Sequence, residues 1–267
     1  MDWLTLPNIS DLIVLCLMEV VLGIDNIVFI AIVTSRLPKE VRSKARKLGL
    51  LLALVMRIIL LSSIYFVTQF ENPLFTLTGM GIPEGWLPTE HTAEINEISI
   101  RDLVLLVGGL FLIGKSVLEI HEQFNHSDEG HAGKKEATFF SVLVQIAILD
   151  IVFSLDSVIA AIGLAETQWV MITAIIIAVG AMIMFANAIS EFVEANPTLK
   201  MLALSFLIMI GVMLVIEGTG AHIDKGYIYF AMAFSLVVEF MNINLRSKSA
   251  NKNKDQATEK LATESQE

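Results

Sequence analysis

The sequence predicts an all-α, polytopic membrane protein with seven transmembrane helices, and two observations support this fold class. First, 55% of the 267 residues are hydrophobic and the mean hydropathy is +0.69, which is too apolar for an ordinary soluble domain. Second, seven segments are long and apolar enough to cross a bilayer, which takes about 20 residues of helix. Helices are expected because an isolated strand in hydrocarbon would leave its backbone polar groups unpaired.

The predicted spans follow one another with short polar connections. They cover approximately residues 9–35, 48–70, 101–121, 138–165, 168–190, 199–219 and 226–245. Pro38, Asn72-Pro73 and Asn196-Pro197 are turn signals between them. We expect one long external loop between Glu71 and Asp102, and a transmembrane domain that covers residues 1–245. Residues 246–267 are polar and predict a disordered cytoplasmic tail.

The N-terminal sequence and the distribution of basic residues predict how the chain is oriented in the membrane. The N-terminus carries acids where a cleaved signal peptide would be basic, so the first span should be retained. Most Lys and Arg residues lie in the first, third and fifth connections and in the tail. The first connection alone contains Arg36, Lys39, Arg42, Lys44, Arg46 and Lys47. Because cytoplasmic connections are enriched in basic residues, the N-terminus should be outside and the tail cytoplasmic.

The first and fourth spans contain the same acidic pattern, Glu19-x5-Asp25-Asn26 and Asp150-x5-Asp156-Ser157. An ionised carboxylate at the bilayer centre costs roughly 2.5 to 3.5 kcal/mol on insertion scales unless it has a partner. Intramembrane acids therefore indicate a functional site. Carboxylate, amide and hydroxyl oxygens are hard ligands that suit Mn²⁺, Mg²⁺ or Ca²⁺, and proton binding as the cation leaves would couple transport to a proton gradient.

The position of the acidic spans predicts an internal symmetry. Each repeat would contain three spans, about 9–121 and about 138–219, with the helix at about 226–245 added outside them. An odd number of spans inverts the second repeat, so both acidic pairs could meet near the midplane, as in secondary transporters. Helical geometry poses one difficulty, because residues six apart point about 120° away from each other. Either these helices pack on two faces, or the backbone unwinds, for which Gly23 would be suited.

Other polar residues in the spans have two interpretations each. The four acids could instead form buried ion pairs with Arg57 and Lys115 that fix helix register, and Arg57 should neutralise one of them because it keeps its charge. Lys115 and Glu119, one turn apart, suggest an internal ion pair or a gating role. Glu239 and Asn242 could extend an exit path or close a hydrogen-bond network.

Three further features have simpler explanations. His121, His126 and His131 could bind metal loosely, but a solvated polar loop is the favoured interpretation. The single cysteine, Cys16, excludes an internal disulfide and a CxxC redox centre, and the sequence has no P-loop, so ATP drives nothing directly. Close helix packing is predicted where small residues occur in the spans. These residues are Gly108, Gly109, Gly114, Gly180 and Ala181.

Three motifs together resemble the TerC family of bacterial integral membrane proteins. They are GIDNIVF (residues 23–29), FLIGKSVLEIHE (residues 111–122) and DIVFSLDS (residues 150–157). The similarity extends over nearly all of the chain except the tail, and the lack of added cytoplasmic domains resembles the small YgdQ branch. This resemblance implies a multi-pass protein of the bacterial inner membrane and of the lysine-exporter superfamily. The family is named for tellurium resistance, and some members are implicated in manganese export.

The sequence leaves three classes of function open. The favoured one is export of a divalent cation, Mn²⁺ first, with Glu19, Asp25, Asn26, Asp150, Asp156 and Ser157 as ligands. The second is a non-transporting membrane partner that supports assembly or metal loading of other proteins. The third is a tellurite transporter, which four carboxylates would disfavour by repulsion. An enzyme is not expected, because no nucleophile or activating His accompanies the acids. The expected partners are the lipid bilayer and the cation as substrate, with no nucleic acid and no permanently bound cofactor, and a homo-oligomer or membrane-protein partner stays open.

Overall fold

The computed structural model describes residues 6–63, 70, 72–83, 85, 95–125, 138–164, 167–221 and 223–264. They form seven helices and one pair of short strands. In chain order the elements are α1 (Leu6–Thr34), α2 (Lys39–Ser62), β1 (Pro73–Thr76), β2 (Glu97–Ser99), α3 (Ile100–Asn125), α4 (Phe139–Leu164), α5 (Gln168–Ala195), α6 (Pro197–Glu217) and α7 (Lys225–Glu264). The chain divides into two compact units, Met1–Ile223 and Asp224–Glu267.

Five helices are long and apolar enough to cross a membrane. These segments are Asn8–Thr34, Ile100–Phe124, Gln168–Ala195, Pro197–Glu217 and Lys225–Arg246. Helix α2 falls short of this standard because its first turns are rich in Lys and Arg. In α4, whose side chains are described without a gap only as far as Leu155, the segment Phe139–Leu155 is apolar. The number of helices therefore agrees with the prediction. That α2 and α4 also span the bilayer, with the N-terminus outside, stays a prediction.

Helix α2 begins earlier than the sequence predicted. Six basic residues were expected in a loop, but all except Arg36 lie in the first turns of α2. Pro38 occupies the N-cap position, and the following residues are good helix formers. Arg42 closes the remaining connection, because its guanidinium donates to the carbonyl oxygens of Leu37 at 2.7 Å and Ser35 at 2.6 Å. The loop prediction was wrong for residues 39–47, which are helical, and the arginines among them have partners within the fold.

The long connection before α3 contains some regular structure that an all-α prediction omits. Strands β1 and β2 pair antiparallel, with Phe75 opposite Ile98. Helix α3 then starts with a capping box, in which the Ser99 backbone N–H donates to the Asp102 carboxylate at 2.9 Å. The Asp102 N–H donates back to the Ser99 hydroxyl at 3.2 Å. These contacts fix the direction in which α3 leaves the strand.

Helix α7 forms the second unit and is longer than its predicted span. Its helical backbone continues to Glu264, through the segment whose polarity predicted disorder. That segment is rich in Ala, Lys, Gln and Glu, which have high helix propensity even where no apolar face is buried. The polar composition was therefore compatible with helix as well as with disorder.

The first unit is held together by helix pairs whose outer faces remain apolar. Helix α1 packs mainly against α5, α3 against α6, and α2 against α4 and α5. Large apolar side chains such as Leu17, Val107 and Met184 are exposed on the outside, which is expected of surfaces that face lipid acyl chains. These pairings do not by themselves establish the inverted repeat, which stays a prediction.

The predicted small-residue contacts are confirmed at some positions only. A methyl group on Gly108 would collide with Val152, and one on Gly109 would lie 2.6 Å from the carbonyl oxygen of Gly211. At Gly114 and Gly180 the space for a methyl group is open among the described residues. Composition alone could not separate glycines at a helix contact from glycines on an outer face.

Candidate functional site: a buried triad and a separate carboxylate

Three charged residues from three helices meet in the interior of the first unit. Glu19 of α1 and Arg57 of α2 are each 1% exposed, and Asp150 of α4 is 5% exposed. Arg57 Nη1 forms a short ion pair with Glu19 Oε2, and Arg57 Nη2 lies 3.4 Å from Asp150 Oδ1. We call Glu19, Arg57 and Asp150 the buried triad. It links both acidic helices to α2 through one guanidinium.

Asp150 is held further by its own helix. Ser154, one turn later and fully buried, donates its hydroxyl to Asp150 Oδ2 at 3.1 Å. The Ser157 hydroxyl instead donates to the carbonyl oxygen of Ser154 at 3.3 Å. Ser154 was absent from the predicted ligands, although its spacing of four from Asp150 places it on the same helix face.

Two polar atoms of the buried triad have no hydrogen-bond partner in the described part of the chain, Glu19 Oε1 and Arg57 Nε. Next to them is a pocket that Asn26, Arg57 and Asp150 line together with apolar side chains. It has room for about one water molecule. Asn26 lies seven residues after Glu19 and therefore on the same face of α1.

Asp25 lies apart from the buried triad. It is 9% exposed, it does not line the pocket, and it makes no hydrogen bond or ion pair with another described residue. Helix α1 runs without a break through Gly23, so of the two alternatives that the sequence left open, local unwinding does not occur in this helix. Gly23 instead permits close packing, because a methyl group there would collide with Met182 of α5. Glu19 and Asp25 are thus both buried on different faces of one continuous helix.

The predicted site with four acids is assembled only in part by the residues that can be described. Their side chains contain no group of three or more His, Cys, Asp or Glu that could hold a metal ion. The Asp156 side chain lies outside the described residues. Convergence of Asp25 and Asp156 with the buried triad stays a prediction.

A second set of ion pairs joins the connection after α1 to helices α3 and α6, at the end of the unit where α1 and α3 finish. Glu119 of α3 accepts a hydrogen bond from Arg36 Nε at 2.7 Å, and Lys200 Nζ of α6 lies 3.4 Å from its other oxygen. The predicted pair between Lys115 and Glu119 does not appear among the described ion pairs. Lys115 is near Glu119, but the ends of other helices bring Arg36 and Lys200 closer.

Glu194 of α5 has a similar role on the other side of α2. Its two oxygens lie 2.8 Å from Arg42 Nη1 and 2.6 Å from Arg46 Nη2. Arg46 is almost fully buried and also reaches Asn187 Oδ1 at 3.4 Å. Sequence reasoning missed Glu194 because it placed the arginines in a solvated loop.

We expect Glu194→Gln to lower the free energy of unfolding by about 1–2 kcal/mol, because two arginines lose a charged acceptor. The figure is modest because the Glu194 side chain is 26% exposed and solvent screens it. Thermal unfolding in detergent, followed by size-exclusion chromatography, measures the change. Glu191→Gln, an exposed position on the same helix, is the matched control, and equal stability of both variants would contradict the prediction.

Two predicted groups lie elsewhere. In the second unit, Asn242 Nδ2 donates to Glu239 Oε2 at 3.4 Å, which agrees with a local hydrogen bond between them. His121 is exposed on α3, while His126 and His131 lie outside the described residues. The role of these groups stays a prediction.

Comparison with known proteins identifies the family. The model of the integral membrane protein TerC family matches residues 4–255. UPF0053 inner membrane protein YgdQ of Escherichia coli strain K12 is 48% identical over 247 residues, which cover 92% of this chain and 97% of that protein. A UPF0053 protein of Haemophilus influenzae is also 48% identical over 247 residues, 92% of this chain and 98% of that protein.

A longer relative matches over part of its length. UPF0053 inner membrane protein YoaE of Escherichia coli strain K12 is 44% identical over 91% of this chain, which corresponds to 44% of that protein. No solved structure matches the chain. The apolar helices and the inner-membrane relatives together make this a multi-pass inner-membrane protein, and the chain belongs to the TerC family of integral membrane proteins.

Proposed function

We propose that this protein exports a divalent metal cation, with Mn²⁺ favoured, across the inner membrane through the acids of α1 and α4. The observation that supports this is an imbalance of buried charge. The carboxylates of Glu19 and Asp150 share one buried guanidinium, that of Arg57, and Asp25, buried apart from them, has no cationic partner among the described residues. If all three acids are ionised, these four residues have a net charge of two negative, which one divalent cation would balance.

The available ligand atoms fit a hard cation. Asp150, Asn26 and Ser154 offer carboxylate, amide and hydroxyl oxygens, which suit Mn²⁺, Mg²⁺ and Ca²⁺ better than soft metals. Mg²⁺ gives up its water reluctantly, and this disfavours it in a pocket with room for about one water molecule. The preference for Mn²⁺ and for export follows the family resemblance.

Ion flux into liposomes tests the proposal. The purified full chain is reconstituted around a metal-sensitive dye, and uptake is compared for Mn²⁺, Mg²⁺, Ca²⁺ and Zn²⁺. We expect saturable Mn²⁺ flux that falls at least tenfold in Asp25→Asn, because this acid has no compensating cation among the described residues. Asp11→Asn, the same substitution near the start of α1, is the control and should transport Mn²⁺ at the normal rate. Full flux in Asp25→Asn, at equal protein incorporation, would exclude Asp25 from the path.

One observation favours a second candidate, a membrane partner that transports nothing. Arg57 bridges Glu19 and Asp150. A bridge of this kind can have a purely structural role, which is to fix the packing of α1, α2 and α4. This candidate predicts no flux of any ion and a stable membrane protein that copurifies with the chain. Tellurite transport ranks last because the buried charge is negative, and saturable tellurite flux would reverse that order.

A further inference from the structure

We propose that Arg57 competes with the transported cation for Asp150, so that guanidinium and cation alternate on this carboxylate. The inference rests on the proposed function. It assigns to Arg57 a role in releasing the cation that a purely structural ion pair would not have.

The two contacts of Arg57 differ in length. Its Nη1 is hydrogen-bonded to Glu19, while its Nη2 lies 3.4 Å from Asp150, beyond the usual range for such bonds. The contact with Asp150 is therefore the weaker of the two. A competitor would remove the guanidinium from Asp150 before it removed it from Glu19.

The pocket beside the buried triad places a competitor at the right position. Arg57 and Asp150 both line it, and Asn26 adds an amide oxygen. A divalent cation on Asp150 would therefore repel the guanidinium in the same small space. Because arginine does not release its proton, this repulsion can be relieved only by movement of the side chain.

One atom of the buried triad is suited to accept that movement. Glu19 Oε1 is buried and has no hydrogen-bond partner in the described part of the chain. A guanidinium whose Nη2 leaves Asp150 can use Nη1 and Nη2 together on the two oxygens of Glu19. Such a bidentate pair is the stronger geometry for arginine and carboxylate. Return of Arg57 to Asp150 would then expel the cation.

Mn²⁺ binding to the purified full chain tests the competition. Binding is measured from the electron paramagnetic resonance signal of free Mn²⁺ at increasing protein concentration. The main variant is Glu19→Gln with Arg57→Gln, which removes one positive and one negative charge and leaves Asp150 and Asn26 in place. We expect it to bind Mn²⁺ at least tenfold more tightly than the wild type and to transport it more slowly, because nothing displaces the cation.

A matched double variant controls for loss of an ion pair as such. Arg42→Gln with Glu194→Gln removes a pair at the other end of α2 and should leave Mn²⁺ affinity unchanged. If the main variant does not fold, Mn²⁺ binding is measured for Arg57→Lys in its place. A single ammonium group cannot contact both carboxylates as the guanidinium does. Arg57→Lys should bind Mn²⁺ severalfold more tightly than the wild type.

The outcomes separate the two proposals. A wild-type chain that transports Mn²⁺, with variants that bind it no more tightly, would overturn the competition and leave the proposed function standing. A wild-type chain that neither binds nor transports any divalent cation would overturn both.

Discussion

Replacement of Arg57 by alanine should lower the free energy of unfolding by about 3–5 kcal/mol, the cost of leaving buried charges without their partner. Arg57 is the counter-ion of both Glu19 and Asp150 among the described residues. All three side chains are nearly inaccessible to solvent, so bulk water does not screen the carboxylates that lose the guanidinium. The change is measured by reversible unfolding in mixed micelles. On heating, the variant should also lose its monodisperse chromatographic peak at a lower temperature than the wild type.

Two comparisons make this expectation specific to the buried charge. Lys47→Ala removes a positive charge from an exposed position ten residues earlier on α2, and it should change stability by no more than about 0.5 kcal/mol. Glu19→Gln in the Arg57→Ala background should recover part of the loss, because one of the stranded carboxylates becomes neutral. A loss for Arg57→Ala as small as that for Lys47→Ala would show that the buried triad does not stabilise the fold.

The sequence predicted the helices well because membrane spans leave a strong signal. Length and apolarity alone indicated seven helices, and the described residues form seven, of which five are long and apolar enough to cross a membrane. The pairing of charges was harder to predict. The sequence predicted that Arg57 neutralises one acid, whereas it contacts two. Spacing along α1 and α4 indicates which residues share a face, but it does not indicate which neighbouring helix that face contacts.

Two errors in the sequence prediction have the same physical cause, which is tertiary contact. The basic run of residues 39–47 resembles a solvated loop, yet it is helical, and Glu194, about 150 residues away, compensates the charges of Arg42 and Arg46. Lys115 was matched with its nearest acid in sequence, whereas Glu119 pairs with residues from other helices. Such contacts depend on how helices are arranged, and local spacing contains no information about them.

Gly109→Ala should destabilise the protein, by about 1–3 kcal/mol, although alanine is the better helix former. Helices α3 and α6 touch here through their backbones. A methyl group on Gly109 would lie 2.6 Å from the carbonyl oxygen of Gly211 and 2.9 Å from the backbone nitrogen of Val215. Neither atom can move away by a rotamer change, so α6 as a whole would have to shift.

Gly114→Ala is the matched control on the same helix. The space for its methyl group is open among the described residues, so this substitution should stabilise the protein by up to about 1 kcal/mol through helix propensity. Both variants gain the same propensity term, and they differ only in the contact with α6. Opposite signs in the measured free energies of unfolding would therefore isolate that contact, whereas two stabilising substitutions would show that α3 and α6 do not approach this closely in the folded protein.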